Sequence, residues 1–197
     1  MHAALVKRRV ANLAPVGARG FRWYAEALTD SPRANAGIAP DGTNTAVKIT
    51  ANTDAKVHLI AAFAPGNIPT IPQGSPYTFS VFVKSAGWRY VRISFEWYYA
   101  DHYLDLDLLT GTYTMPPAGD YRRPRACRVE TLPDGWYRVS ITEVNTETAG
   151  GMSARVYFVD AAGSTNTPGD GTSGILLWGY QINTGGPAPY NPAPPLI

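Results

Sequence analysis

YTFSVFVKS, residues 77–85, alternates without a break: Tyr77, Phe79, Val81 and Val83 fall on one face, and Thr78, Ser80, Phe82 and Lys84 on the other. Successive side chains of an extended chain point to opposite faces, so a period of two marks a strand with one face in a core. The flanks support this reading. PGNIPTIPQGSP (65–76) on the N-terminal side holds four Pro and two Gly, where neither a helix nor a central strand keeps its hydrogen bonds. On the C-terminal side, WRYVRISFEWYY (88–99) alternates again. Val91, Ile93, Phe95 and Trp97, with Arg89, form the expected core face, which leaves Trp88, Tyr90, Arg92, Ser94 and Glu96 as a mixed aromatic and charged surface.

The same pattern extends in both directions. HYLDLDLLTG (102–111) turns Leu104, Leu106 and Leu108 inward and Tyr103, Asp105 and Asp107 outward. TAVKIT (45–50), KVHLIAAF (56–63), GWYRVSITEV (135–144) and SARVYFVDA (153–161) are further strands. GILLWGYQIN (174–183) closes the series, with Leu176, Trp178, Tyr180 and Ile182 on one face and Ile175, Leu177, Gly179 and Gln181 on the other. In this strand Gly179 lets a neighbour pass close, and Gln181 satisfies backbone groups at the sandwich edge or ties down the tail. Eight strands cut by Gly, Pro, Asn and Asp predict an all-β fold, a two-sheet antiparallel jelly-roll β-sandwich. Phe79, Val81, Trp136, Trp178, Gly179 and Gln181 are its expected structural residues.

A chain of 197 residues fits one domain. The sandwich is expected over 36–183, between an N-terminal segment at 1–35 and an extended Pro-rich tail at 184–197. The segment at 1–35 reads equally as a docking arm and as a first strand near residues 21–25. With a net charge of +2 and a charged fraction of 16%, the overall field does not favour nucleic acid. Basic residues gather at Lys7, Arg8 and Arg9, then Arg19 and Arg22, and again at Arg122, Arg123, Arg125 and Arg128. Solvated loop charge is the simpler reading of both groups, and docking on an acidic protein partner is the next. Neither a signal peptide nor a membrane span is expected, so the chain is expected to be made in a cytoplasm and to stay soluble.

Strong catalytic motifs are absent from the sequence, and Cys127 is the single cysteine, beside three histidines. His58, inside an apolar strand, reads as a satisfied strand histidine. Glu96, Asp105 and Asp107 are the residues on which glycoside hydrolysis would rest. Asp105 and Asp107 stand side by side on one strand face, about 6–7 Å apart, so no catalytic residue is assigned. Asp101 and the Asp170 loop are candidate calcium ligands. Solvated acids are the simpler reading, and neither a metal nor a cofactor is assigned. Trp88, Tyr90, Tyr98, Tyr99 and Tyr103 offer rings for stacking on sugars. Burial against a second subunit or against the arm is the preferred reading of these rings.

Several blocks resemble a module of tailed-bacteriophage structural proteins, a carbohydrate-binding-like jelly roll found in tail fibres, spikes and head-associated proteins. The blocks are Asn12-Leu13 ahead of Phe21, Trp23 and Tyr24; APDGTNTAVKIT (39–50); YTFSVFVKSAG (77–87); LDLLTGT (106–112); LPDGWYRVSIT (132–142); and Gly174 through Tyr190 with its Trp178-Gly179 and Gln181. Asn183 departs from the module's more usual Glu, and no role is transferred to it.

The resemblance implies a non-enzymatic virion protein. The small size favours a head decoration, or cement-like, protein on the outer surface of the head, as a homo-trimer bound to the major capsid protein or other virion proteins. Lys7, Arg8, Arg9, Arg19, Phe21, Arg22, Trp23 and Tyr190 would make those contacts. A tail-fibre, spike or baseplate adhesin for a host-surface glycan is the alternative, and a polysaccharide-degrading enzyme the third reading. Neither nucleic acid nor membrane is an expected partner.

Overall fold

A computed structural model describes residues 22–29, 33–64, 72–97, 100–146 and 152–191. Two six-stranded sheets face each other, and every strand pair in them is antiparallel. The first sheet holds, in spatial order, β1 (Arg22–Glu26), β4 (Leu59–Ala64), β11 (Met152–Val159), β6 (Tyr90–Trp97), β7 (Ala100–Asp107) and β8 (Tyr113–Thr114). The second holds β2 (Arg33–Gly37), β3 (Ala46–Thr50), β12 (Gly174–Thr184), β5 (Pro76–Ala86), β10 (Trp136–Val144) and β9 (Ala126–Thr131). All eight expected strands are present, and the fold is the expected jelly-roll β-sandwich.

Between the sheets, Tyr77, Phe79, Val81 and Val83 of β5 meet Val91, Ile93 and Phe95 of β6 and Leu104 and Leu106 of β7 in one buried core. These residues are inward as alternation predicts, but Arg89, expected on the same face, is instead exposed and pairs with Asp107 because it lies just ahead of β6, and the Trp97 side chain lies outside the described residues. Tyr77 and Phe95 stack edge to face with centroids 5.0 Å apart. Four strands go beyond the eight. β1 lies within the N-terminal segment, and β2 places residues 33–37 beside β3. β8 is a two-residue edge. β9 lies partly in the Arg-rich stretch taken as loop, where Cys127 and Val129 pack against the core and Arg128 pairs with Glu130 at 2.6 Å.

β12 departs from strict alternation. Trp178 pairs with Phe82 and Gln181 with Ser80, so three steps on β12 match two on β5. This extra residue is a β-bulge at Gly179, whose φ is +62°. The phase therefore reverses beyond it. Ile175, Leu177, Tyr180 and Ile182 face the core, whereas Leu176 and Trp178 face outward with Phe82 and Trp136. The predicted grouping of Tyr180 and Ile182 with Trp178 is thus corrected. Trp136 and Trp178 likewise pack on the outer side of the second sheet rather than between the sheets.

That outer side is covered by the chain's own tail. The Asn191 N–H donates to Gln181 Oε1 at 2.7 Å, and Gln181 Nε2 donates to the Pro189 carbonyl at 3.3 Å. Thr78 Oγ1 donates to the Gly185 carbonyl at 2.7 Å, Asn183 Nδ2 to that of Gly186 at 3.0 Å, and Arg138 Nη2 to that of Ala188. Gln181 does tie down the tail. Tyr190 packs on Trp178, with centroids 4.5 Å apart, and on Phe82 at 5.9 Å. Residues 184–191 are therefore a strap across their own sheet, which supplies the burial that Phe82 needs on an outer face.

Candidate functional site

The outer face of the first sheet carries a different set. Antiparallel register places Tyr90 between Val159 and Asp107, Arg92 between Tyr157 and Asp105, and Ser94 between Arg155 and Tyr103. Directly opposed residues lie close enough for their side chains to meet. Arg92 reaches both oxygens of Asp105, at 2.7 and 2.8 Å, and donates to the Gly163 carbonyl at 2.9 Å. Its guanidinium lies 3.8 Å from the Tyr103 ring centre, so one face of that ring is taken by a cation–π contact. Arg89 grips Asp107 in the same two-pronged way, at 2.9 and 2.7 Å, and its guanidinium lies 4.8 Å from the Tyr90 ring centre.

Two adjoining clefts open here and share Tyr90, Val159 and Asp160. The larger, about 410 Å³, runs past Trp88, Arg89 and the loop of Thr167, Gly169 and Asp170. The smaller, about 220 Å³, lies between Tyr90 and Tyr113, beside Asp105, Asp107 and Gly163. Trp88 is a wall of the first cleft rather than a free platform. Its indole N–H donates to the carbonyls of Tyr90, at 2.8 Å, and Val159, at 3.2 Å, and its ring stands edge-on to buried Phe158 at 5.3 Å. Tyr113 and Tyr121, 41% and 73% exposed, were not singled out from the sequence. Tyr113 follows the LDLLTGT block directly, on the return strand of a hairpin, and that position was the available signal.

The remaining candidates fall elsewhere. Lys7, Arg8, Arg9, Arg19, Phe21, Tyr98 and Tyr99 lie outside the described residues. Arg22 and Trp23 belong to β1, for which only the backbone is described, and the Glu96 side chain is also outside the description. Asp105 and Asp107 are both occupied by guanidiniums, and Arg89 holds the Asp107 carboxyl well below the usual carboxylate range. Asp107 is thereby not set up as a general acid. Asp101 accepts from Ser94 Oγ. Asp170 caps its own loop, accepting from the Thr172 and Ser173 N–H groups and from Ser173 Oγ. Among the described residues no group of three or more His, Cys, Asp or Glu is arranged to hold a metal. His58 is buried, with Nε2 at 3.0 Å from Asn52 Oδ1 and 3.1 Å from its carbonyl.

Glu143 behaves differently from the surface acids. It lies inside one end of the sandwich, opposite Tyr77 on β5 and 3.7 Å from His102 Nδ1, and it accepts the Arg125 N–H at 2.9 Å. Burial pushes its carboxyl above the ordinary value of 4.5, against the opposing effects of that N–H and of His102. A raised folded-state value means that the native state binds the proton more tightly than the unfolded chain does. The resulting penalty is absent below 4.5 and fully present above the raised value. Glu143→Gln, which keeps an acceptor for Arg125, should be at least as stable as the parent at pH 7. Its advantage should shrink as thermal melts are taken from pH 7 toward 4.5. A variant less stable at pH 7 would show that the His102 pairing outweighs burial.

Fold and face together define a jelly-roll β-sandwich with an aromatic, Asp–Arg-paired cleft region on one sheet. No protein-family model matches the chain, and no curated protein sequence does. Among solved structures it is similar to two xylan-binding domains of Xyn10C from Paenibacillus barcinonensis. CBM22-1 shares 13% identity over 90% of this chain and 94% of that one, with a TM-score of 0.45. CBM22-2 shares 16% over 89% and 98%, also with a TM-score of 0.45. A family 29 carbohydrate-binding module, CBM29-2, shares 14% over 90% of this chain and 83% of its own, with a TM-score of 0.41. These are resemblances of architecture at low identity.

Proposed function

We propose that this chain is a non-catalytic glycan-binding module of a virion surface protein, an adhesin of the tail-fibre, spike or baseplate kind. The observation that carries the binding part is the pair of clefts that meet at Tyr90. A half-buried phenol ring there lies beside two carboxylate–guanidinium pairs. A pyranose offers an apolar ring face to stack on an aromatic and hydroxyls that both give and take hydrogen bonds. Tyr90 with the Asp105–Arg92 and Asp107–Arg89 pairs meets both needs.

The virion setting is supported by the sequence blocks at 39–50, 77–87, 106–112, 132–142 and 174–190. Head decoration, favoured by the small size, takes second place because one of the contacts it called on, Tyr190, is used within the chain. Tyr190 and the tail through Asn191 are engaged by their own sheet. Glycan-array screening followed by titration tests the binding part. Tyr90→Ala should weaken the selected glycan about 10-fold or more, the scale of losing an aromatic anchor, while Tyr121→Ala on the exposed loop should not. Equal affinity for parent and Tyr90→Ala would sink the reading. Cryo-electron microscopy of the intact particle separates tail from head, and absence of the chain from purified virions would remove the virion setting.

A further inference from the structure

We infer that Asp160 makes these clefts a charge filter, which accepts neutral and amine-bearing saccharides and disfavours carboxylated ones. The inference rests on the glycan reading of the Tyr90 clefts. Of the carboxylates lining the smaller cleft, Asp105 is matched by Arg92 and Asp107 by Arg89. Asp160 has no such partner among the described residues. Its Oδ1 accepts the N–H groups of Ala162 and Ser164, each at 2.9 Å, which folds the 160–164 turn and leaves Oδ2 with no hydrogen bond from the described residues. Among the described residues, three carboxylates against two guanidiniums leave one negative charge uncompensated, on the residue that lines both clefts. Asp170, at the far side of the larger cleft, adds a further carboxylate, although its oxygens serve its own loop and the Lys48 ammonium reaches the Thr172 carbonyl nearby, at 3.1 Å.

A carboxylated sugar on Tyr90 therefore meets Asp160 without a cation of its own, and an amino sugar brings one. For two charges several ångströms apart in a solvent-open cleft, the effect is about threefold in affinity for each sign at low salt. The experiment uses three β-1,4-linked glucan hexamers that differ in one group: cellohexaose, its 2-amino counterpart and its 6-carboxylate counterpart. Each is titrated into the full chain and into Asp160→Asn at low ionic strength and followed by NMR. Asn keeps the Oδ1 acceptor of the turn. In the parent, the amino form should bind about threefold tighter than cellohexaose and the carboxylate form about threefold weaker. Asp160→Asn should bring the three affinities together. If the carboxylate form binds as tightly as the amino form, or if the spread survives in Asp160→Asn, the filter is overturned while glycan binding stands. Binding of none of the three would overturn the filter on this backbone, while the glycan array decides the binding reading separately.

Discussion

Phe79→Ala should lower folding stability by about 3–5 kcal/mol, the usual range for emptying a buried aromatic site, as read from urea denaturation by linear extrapolation. Phe79 is fully buried at the middle of β5, the strand that joins β12 to β10. Its direct partners are Ile182 on one side and Ile141 on the other, both also fully buried. Its ring packs on Phe95 of the facing sheet, with centroids 5.6 Å apart, and on Tyr180 at 5.3 Å. The cavity would thus be walled by rings from both sheets. Hydrogen-bonded ladders on either side of β5 hold the backbone in place, so the walls collapse only in part and the loss stays near the upper range. A loss below about 1 kcal/mol would mean that the two sheets close over the gap, and the rigid-core account of this sandwich would fail.

Gly179→Ala should cost about 2–5 kcal/mol, from two separable sources. The φ of +62° at this residue is left-handed backbone that an L side chain adopts at a cost of about 1–2 kcal/mol. A Cβ at this position would also stand 2.8 Å from Phe82 Cδ2 and 3.2 Å from Tyr190 Cε2, an overpacking worth about 1–3 kcal/mol. In a Phe82→Leu background the second part should fall away and the first persist. Hydrogen exchange supplies an independent reading, because the bulge sets the phase that aims Gln181 and Asn183 at the strap. Faster exchange at Asn191, whose N–H donates to Gln181 Oε1, should accompany the loss in Gly179→Ala. Unchanged exchange there would separate the bulge from the strap.

The strands most legible in the sequence are those with one wet face or a sharp period of two. β7 is the plainest case, with Leu104 and Leu106 inward and Asp105 and Asp107 outward. β9 was missed because its alternation of Cys127 and Val129 with Arg128 and Glu130 is short and follows an Arg-rich turn. An edge strand also buries too little to need a strong apolar signal. The reversal at Gly179 was hidden for another reason. A glycine inside a strand is compatible with either a close approach or a bulge, and here it serves both, since Phe82 and Tyr190 pass close and one residue is added.

The candidate site was partly legible. Tyr90, Arg92, Tyr103, Asp105 and Asp107 were grouped as outward-facing residues of two strands, and they share one face. Sequence reasoning could not show that each Asp is locked by an Arg. That pairing depends on a register which sets Arg92 against Asp105, thirteen residues away. The rings at Trp88 and Tyr103, read from the sequence as covered by a second subunit or the arm or else open to a sugar, are met within the chain, Tyr103 by a guanidinium and Trp88 by the core edge.

The sequence by itself determined that the chain forms a two-sheet β-sandwich and which side chains of β5 and β7 turn inward, because period-two alternation is a local property of an extended chain. Only the tertiary structure decided that residues 184–191 strap their own sheet, that β12 changes phase at Gly179, and that Asp160 has no cation partner among the described residues while its neighbours are paired. Each of these depends on contacts between residues far apart in the chain, where strand order and register, rather than local pattern, select the partner.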